Sequence, residues 1–168
     1  MNEPQLDEDA GCVHETRVPE YIARLRPALI ARHGPQLGIE LLSEVSEYAW
    51  TERNKLDEMA NPVGYLYRVS QSNARRHRRW AREVELPPEI PDSHDADDHP
   101  LGADLHTALA QLRADDRTIV VLVHSYSYRY EEVAEIIGKS PAAVRNRLHR
   151  SMVRLRRQLE QEPRHAHR

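Results

Sequence analysis

The chain has no phenylalanine, and its two Trp and seven Tyr make up only 5% of 168 residues. Any core must therefore rest on Leu, Ile, Val and Ala, a composition poor in sheet-forming aromatics and well suited to helices. Cysteine is limited to Cys12, which excludes an internal disulfide framework and a cysteine-based structural zinc site, and fits a reducing compartment. No apolar stretch reaches about 18 residues, and the opening MNEPQLDEDAG has neither a basic region nor an apolar run. The expectation is a soluble, non-secreted, cytoplasmic protein. A glycine-rich phosphate loop and a nucleophile motif are also missing, so the chain reads as a non-enzyme with no cofactor and no metal. Cys12 and His14 offer two ligands where structural zinc wants four. The run His94, Asp95, Asp97, Asp98 and His99 lacks a calcium-loop glycine pattern and reads as a solvated spacer.

What is present is charge, arranged in blocks. The net charge of -3 averages over them. Residues 1–60 carry 12 acids against 6 bases, whereas 61–82 carry no acid and six arginines: Arg68, Arg75, Arg76, Arg78, Arg79 and Arg82. Residues 83–116 hold 10 acids against Arg113 alone, and 117–168 hold 11 bases against 5 acids. Two basic segments flank an acidic one, so two surfaces suit a phosphate backbone and the connector between them would repel it. Solvated helix faces are the plainer reading of the same blocks.

Hydrophobic periodicity predicts short helices throughout. Tyr21, Ile22, Leu25, Leu29 and Ile30 recur at helical spacing from Pro19 until His33-Gly34-Pro35 stops the run. A second helix is predicted from about Gln36 to Leu56, with Leu37, Leu41, Leu42, Val45, Ala49 and Trp50 on one stripe and Glu40, Glu44 and Glu47 beside it. Asn61-Pro62 turns the chain into a third, with Tyr65, Leu66, Val69 and Asn73 inward before the arginine cluster. ELPPEIPDSHDADDHP, residues 85–100, holds Pro87, Pro88, Pro91 and Pro100 and no helical period, which predicts an extended linker. Leu101, Leu105, Leu109 and Leu112 predict one further amphipathic helix, and Ile119 to Leu122 lie in another. Tyr126, Tyr128 and Tyr130 alternate like a strand, but between helical segments they are expected to pack a turn.

The strongest local signal is YEEVAEIIGKSPAAVRNRLHRSMVRLRRQL. Gly138 after Val133, Ala134, Ile136 and Ile137 suits a left-handed stop, Ser140 suits an N-cap, and Pro141 at the next position loses no helical hydrogen bond. Small Ala134 lets two helices cross closely, as a helix-turn-helix requires. On the second helix Val144, Leu148, Ser151, Met152 and Leu155 share a core-facing side. Asn146 and Arg150 lie opposite, with Ala142, Ala143 and His149 beside them and Arg145 and Arg147 on the flanks. A major groove admits one such helix, with Arg matched to guanine and Asn to adenine.

These residues resemble region four of extracytoplasmic-function sigma factors, in the opening Tyr130-Glu131-Glu132-Val133-Ala134 and in the recognition-helix run Val144 to Arg150. YIARLRPALIARHG resembles the first helix of region two. ELLSEVSEYAW resembles the segment that docks on polymerase, with Glu40, Leu41, Leu42, Ser43 and Glu44 in the docking positions. NPVGYLYRVSQSNARRHRR resembles the last region-two helix, which follows promoter melting and contacts the downstream element. Altogether the resemblance spans roughly residues 19–82 and 104–160. It implies an all-α fold of two small helical domains: an acidic disordered tail at 1–16, a region-two-like domain at 17–82, a Pro-rich linker at 83–103, a helix-turn-helix domain at 104–162 and a tail at 163–168. Core RNA polymerase and promoter DNA are the implied partners, an anti-sigma factor is a further one, and membrane insertion is not expected. The DNA-contacting residues it implies are Ala142, Ala143, Arg145, Asn146, Arg147, His149 and Arg150, together with Arg68, Arg75, Arg76 and Arg79. Two departures stand out: Ser46 replaces an aromatic after the docking run, and the segment before Asn61 is short of aromatics. Holding an unstacked base would fall to arginines or to Trp50, Tyr65 and Tyr67, which equally read as core. A sigma-like DNA-binding regulator and a protein-interaction adaptor, both without melting activity, remain open.

Overall fold

The computed structural model describes residues 16–83 and 100–161. Among them are eight helices and no strand: α1 (Val18–His33), α2 (Pro35–Thr51), α3 (Arg53–Asp57), α4 (Pro62–Glu83), α5 (Pro100–Ala110), α6 (Ala114–His124), α7 (Tyr130–Ile137) and α8 (Pro141–Gln161). The expected tail and most of the expected linker lie outside the described residues.

Each helix turns its apolar stripe inward. Val18, Tyr21, Leu25, Ala28 and Leu29 of α1 are buried, as are Leu41, Val45 and Ala49 of α2 and Val63, Leu66, Tyr67 and Ala74 of α4. The spacings of three and four residues are those of one helix face. In the second half Ile119, Val120 and Leu122 of α6, Val133, Ala134 and Ile136 of α7, and Val144, Leu148 and Leu155 of α8 do the same. α1 packs on α2 and α4; α6 and α7 pack on α8. The halves also meet, α1 against α6 and α4 against α7, and their buried apolar side chains form one continuous cluster. Pro27 sits inside α1 and is buried there; tertiary packing overrides its poor helix propensity.

Several expectations are corrected. The helix predicted over 36–56 breaks at Glu52 into α2 and α3. Trp50, placed on the inward stripe, is 48% exposed, because Ala49 takes the inward position and Trp50 lies about 100 degrees further round. Leu105 of α5 and Met152 of α8 also emerge at the surface; Ala108 and Leu112 anchor the α5 segment, and Ser151 takes the buried place beside Met152. Tyr126 and Tyr128 pack edge to face in the α6–α7 turn, as expected of a turn cluster.

Candidate nucleic-acid interface

The α7–α8 turn follows its local chemistry. Gly138 adopts φ 66°, ψ 45°, the left-handed region that an L side chain enters at a cost, and its N–H returns to the Ala134 carbonyl. Lys139 N–H donates to the same oxygen at 3.0 Å. The Ser140 hydroxyl then accepts from Ala143 N–H at 3.2 Å, the N-cap that the sequence predicts. At the start of α7, Glu132 accepts from Arg129 N–H at 2.8 Å. The Arg129 N–H and Arg129 side chain both hold its carboxyl below the usual carboxylate range.

With Val144, Leu148, Ser151 and Leu155 buried, α8 presents Ala142, Arg145, Asn146, His149 and Arg150 to the outside, with Ala143 half-buried behind them. Arg145, Asn146, His149 and Arg150 line an open concavity of about 570 Å³. Arg145 also lies over the Tyr130 ring at 5.7 Å, which leaves its donors available. Arg150 Nε donates to the Asn146 carbonyl at 3.3 Å, which uses one of its five guanidinium donors. Small Ala142 and Ala143 let the helix start approach another surface closely.

Arg147 behaves differently from its neighbours. It is half-buried, 3.2 Å from Asp115 and 3.6 Å from Asp116 at the N-terminus of α6. Asp115 is shared, because Arg32 of α1 pairs with its other oxygen. Burial pushes the Asp115 carboxyl up, but Arg32 and Arg147 outweigh it and hold the group below its usual value. Reading the sequence missed both aspartates: two acids in a first helical turn look like ordinary dipole complements, and only folding brings them to Arg147.

On α4, Arg68, Arg75, Arg76, Arg78 and Arg79 are all exposed. Arg76 alone among them is near a described carboxylate, Glu44 at 3.6 Å. Trp80 follows on the same helix and is 57% exposed.

The run on α2 that the resemblance assigns to docking separates by side chain. Leu41 is fully buried and Leu42 half-buried, whereas Glu40 and Ser43 face outward. Glu44 accepts from Asn73 Nδ2 at 2.8 Å and contacts His77 Nε2 at 2.6 Å, besides its ion pair with Arg76. Leu41 thus serves the core and Glu44 ties α2 to α4. Of the tyrosines considered for base stacking, Tyr67 is buried and Tyr65 shares a 2.7 Å hydroxyl contact with Tyr48; Trp50 remains outside. No described helix is long and apolar enough to cross a membrane, and no described cluster of His, Cys, Asp and Glu is built to hold a metal.

A helix-turn-helix with a free polar face, carried behind a second helical unit with an arginine stripe, defines a DNA-binding protein of two linked helical parts. Residues 103–155 match the sigma-70 region 4 domain. RNA polymerase sigma factor CarQ of Myxococcus xanthus is 29% identical over 156 residues, covering 89% of this chain and 86% of that protein. RNA polymerase sigma-E factor of Streptomyces antibioticus is 37% identical over 101 residues, 57% of this chain and 56% of that protein. The fold is similar to that of the sigma factor RpoE from Bartonella quintana, solved in complex with the anti-sigma factor NepR, with a TM-score of 0.53, 21% identity, and coverage of 87% of this chain and 93% of that one. Over most of its length the chain is thus similar to RNA polymerase sigma factors, with a sigma-70 region 4 match in its second half and a fold shared with a solved sigma factor.

Proposed function

We propose that this protein directs core RNA polymerase to specific promoters, with α8 reading the upstream element and α4 meeting the downstream one. It acts by recruitment, without covalent chemistry. The observation that carries the reading is the exposed Arg145, Asn146, His149 and Arg150 face of α8, set on a buried Val144 and Leu148 spine. Arg and Asn supply the bidentate donors that match guanine and adenine edges in a major groove. Arg68, Arg75 and Arg79 share one side of α4 by helical spacing and suit phosphates. Residues 17–82 and 104–162 are the two working units, joined through 83–103. Glu40, Leu42 and Ser43 are the docking residues left accessible on α2, and an anti-sigma factor is the expected antagonist.

Reconstituted transcription with core polymerase and a genomic promoter library tests docking, recognition and melting together. Promoter-specific transcripts are expected; their absence, with sequence-selective binding retained, turns the reading to a sigma-like regulator. That second reading draws on one observation: Tyr67 is buried and Tyr65 is half-buried with its hydroxyl against Tyr48, so Trp50 is the one fully exposed aromatic of the three proposed for stacking.

A further inference from the structure

Arginine is a long, flexible side chain, and one that meets DNA loses rotamer freedom on binding unless the protein already holds it. α8 carries an arginine on each flank of its outer face, and the two are held in opposite ways. Arg147, towards α6, is half-buried and gives its charge to Asp115 at 3.2 Å and Asp116 at 3.6 Å. Arg145, towards α7, is exposed, and its guanidinium carbon stands 5.7 Å from the centre of the Tyr130 ring. A carboxylate cancels the charge it holds, whereas a ring face attracts a guanidinium through its quadrupole and leaves the positive charge whole. Of the two flank arginines, Arg145 is therefore the one that keeps its charge for a partner outside the protein.

The place of the ring follows from the chain before it. Ser127 adopts φ 55°, and after this left-handed residue Tyr128 N–H returns to the Leu122 carbonyl at 3.0 Å. Arg129 is then extended. Its N–H donates to Glu132 at 2.8 Å and its carbonyl accepts from Val133 N–H at 3.0 Å, which makes Tyr130 the first residue of α7. Buried Val133, Ala134 and Ile136 seat α7 against α8. From that seat half-buried Tyr130 reaches the second turn of α8, where Arg145 stands four residues on from Pro141. Arg145 lines the outer concavity together with Asn146, His149 and Arg150. It thus occupies the rim on the α7 side, where a duplex whose major groove admits α8 brings one of its phosphate strands.

We propose that Tyr130 is a positioning residue for DNA binding: its ring holds the Arg145 guanidinium at that rim, ready for a backbone phosphate, a role that rests on the reading in which α8 enters promoter DNA. The ring does this and the hydroxyl is not needed for it. Tyr130 and Arg145 then act as one unit. Without the ring, Arg145 is a free chain that must be ordered on binding; without Arg145, the ring has nothing to hold.

Binding of the full chain to a mixed-sequence duplex over a salt series tests the pair, with a thermal melt of each variant to confirm folding. Arg145→Ala is expected to bind several-fold more weakly, with a salt slope smaller by about one. Tyr130→Leu should also weaken binding several-fold and reduce the slope, whereas Tyr130→Phe should bind as the unaltered chain does. Tyr130→Leu added to Arg145→Ala should cost nothing further, since residues acting as a unit are not additive. Tyr130→Gln, polar and suited to a half-buried helix start, serves in place of Tyr130→Leu if that variant does not fold. Three results overturn the positioning role: no change in Tyr130→Leu; equal losses in Tyr130→Phe and Tyr130→Leu, which would put the hydroxyl itself on the DNA; or equal losses from Tyr130→Leu with and without Arg145. The promoter reading survives any of these as long as Arg145→Ala still lowers the slope. If Arg145→Ala, Asn146→Ala and Arg150→Ala all bind as the unaltered chain does, α8 does not meet DNA and both fall.

Discussion

Asn61 and Glu135 stand 74 residues apart and are joined by a single side chain that caps two helices. The Asn61 Oδ1 accepts from Gly64 N–H at 2.7 Å to start α4, while its Nδ2 donates to the Glu135 carbonyl that ends α7. One amide group thereby sets the entry to the arginine helix and the exit from the first helix of the DNA-binding motif. The contacts around it lead to four expectations.

Gly64→Ala should destabilise the protein although it would stabilise an isolated helix. Alanine gains about 1 kcal/mol over glycine in helix propensity. Against that, the new methyl meets the Glu135 carbonyl at 2.6 Å and the Asn61 side chain at 2.5 Å. Overpacking of this kind costs about 1–3 kcal/mol, so the net change is a loss. Urea denaturation of the full chain would show a lower midpoint; an unchanged or higher one means that the halves are not in contact at this point.

Glu40→Lys and Glu44→Lys should part company. Glu40 is exposed, so its reversal is expected to weaken polymerase binding several-fold and leave the melting temperature alone. Glu44 gathers Asn73, Arg76 and His77, so its reversal should lower stability first, by about 1–3 kcal/mol. Thermal melts read beside a polymerase pull-down separate the two effects.

Arg150→Ala should cost about 1–3 kcal/mol at one base of the upstream element and relax selectivity there, with folding unchanged. Arg145→Ala should weaken binding to all sequences and reduce the salt slope by about one. Arg147→Ala differs from both, because it strips a partner from half-buried Asp115 and Asp116 and should reduce stability as well. Binding over a salt series on a selected promoter and its base-substituted variants distinguishes the three. Unchanged affinity and base preference in both Arg150→Ala and Asn146→Ala would favour the adaptor reading.

His33 provides the pH dependence. Burial, with Arg32 and Arg78 nearby, lowers it from 6.5 to about 4. The unfolded chain therefore binds a proton that the folded chain refuses between those values, and stability rises with pH across that window. The contribution is full above about pH 6.5 and is lost as pH falls towards 4, at most about 3 kcal/mol from a shift of this size. His33→Gln should flatten this part of a stability-against-pH curve; an unaltered slope would mean that another group titrates there.

Much of the fold was legible because it is local. The Gly138 stop, the Ser140 cap, Pro141 and the Val144 and Leu148 stripe depend on residues within a turn or two of one another, and the structure places each as its chemistry requires. The exposed polar face of α8 follows from the same periodicity. Trp50, Leu105 and Met152 were harder to place, since a stripe edge is decided by where the neighbouring helix lies rather than by spacing. The docking run shows the same limit: Glu40, Leu41 and Glu44 look alike as part of a motif, yet one faces outward, one fills the core and one binds α4.

By itself the sequence determined the helical class, the helix-turn-helix and the identity of the side chains on its free face, because capping, turn geometry and the 3.6-residue period act over short range. Tertiary structure alone decided that Arg147 is held by Asp115, that Arg117 ends α1, and that Asn61 and Gly64 receive α7. Those pairings join residues tens of positions apart, and ion pairs and hydrogen bonds of this kind depend on distances that exist only once the shared apolar cluster has drawn the helices together.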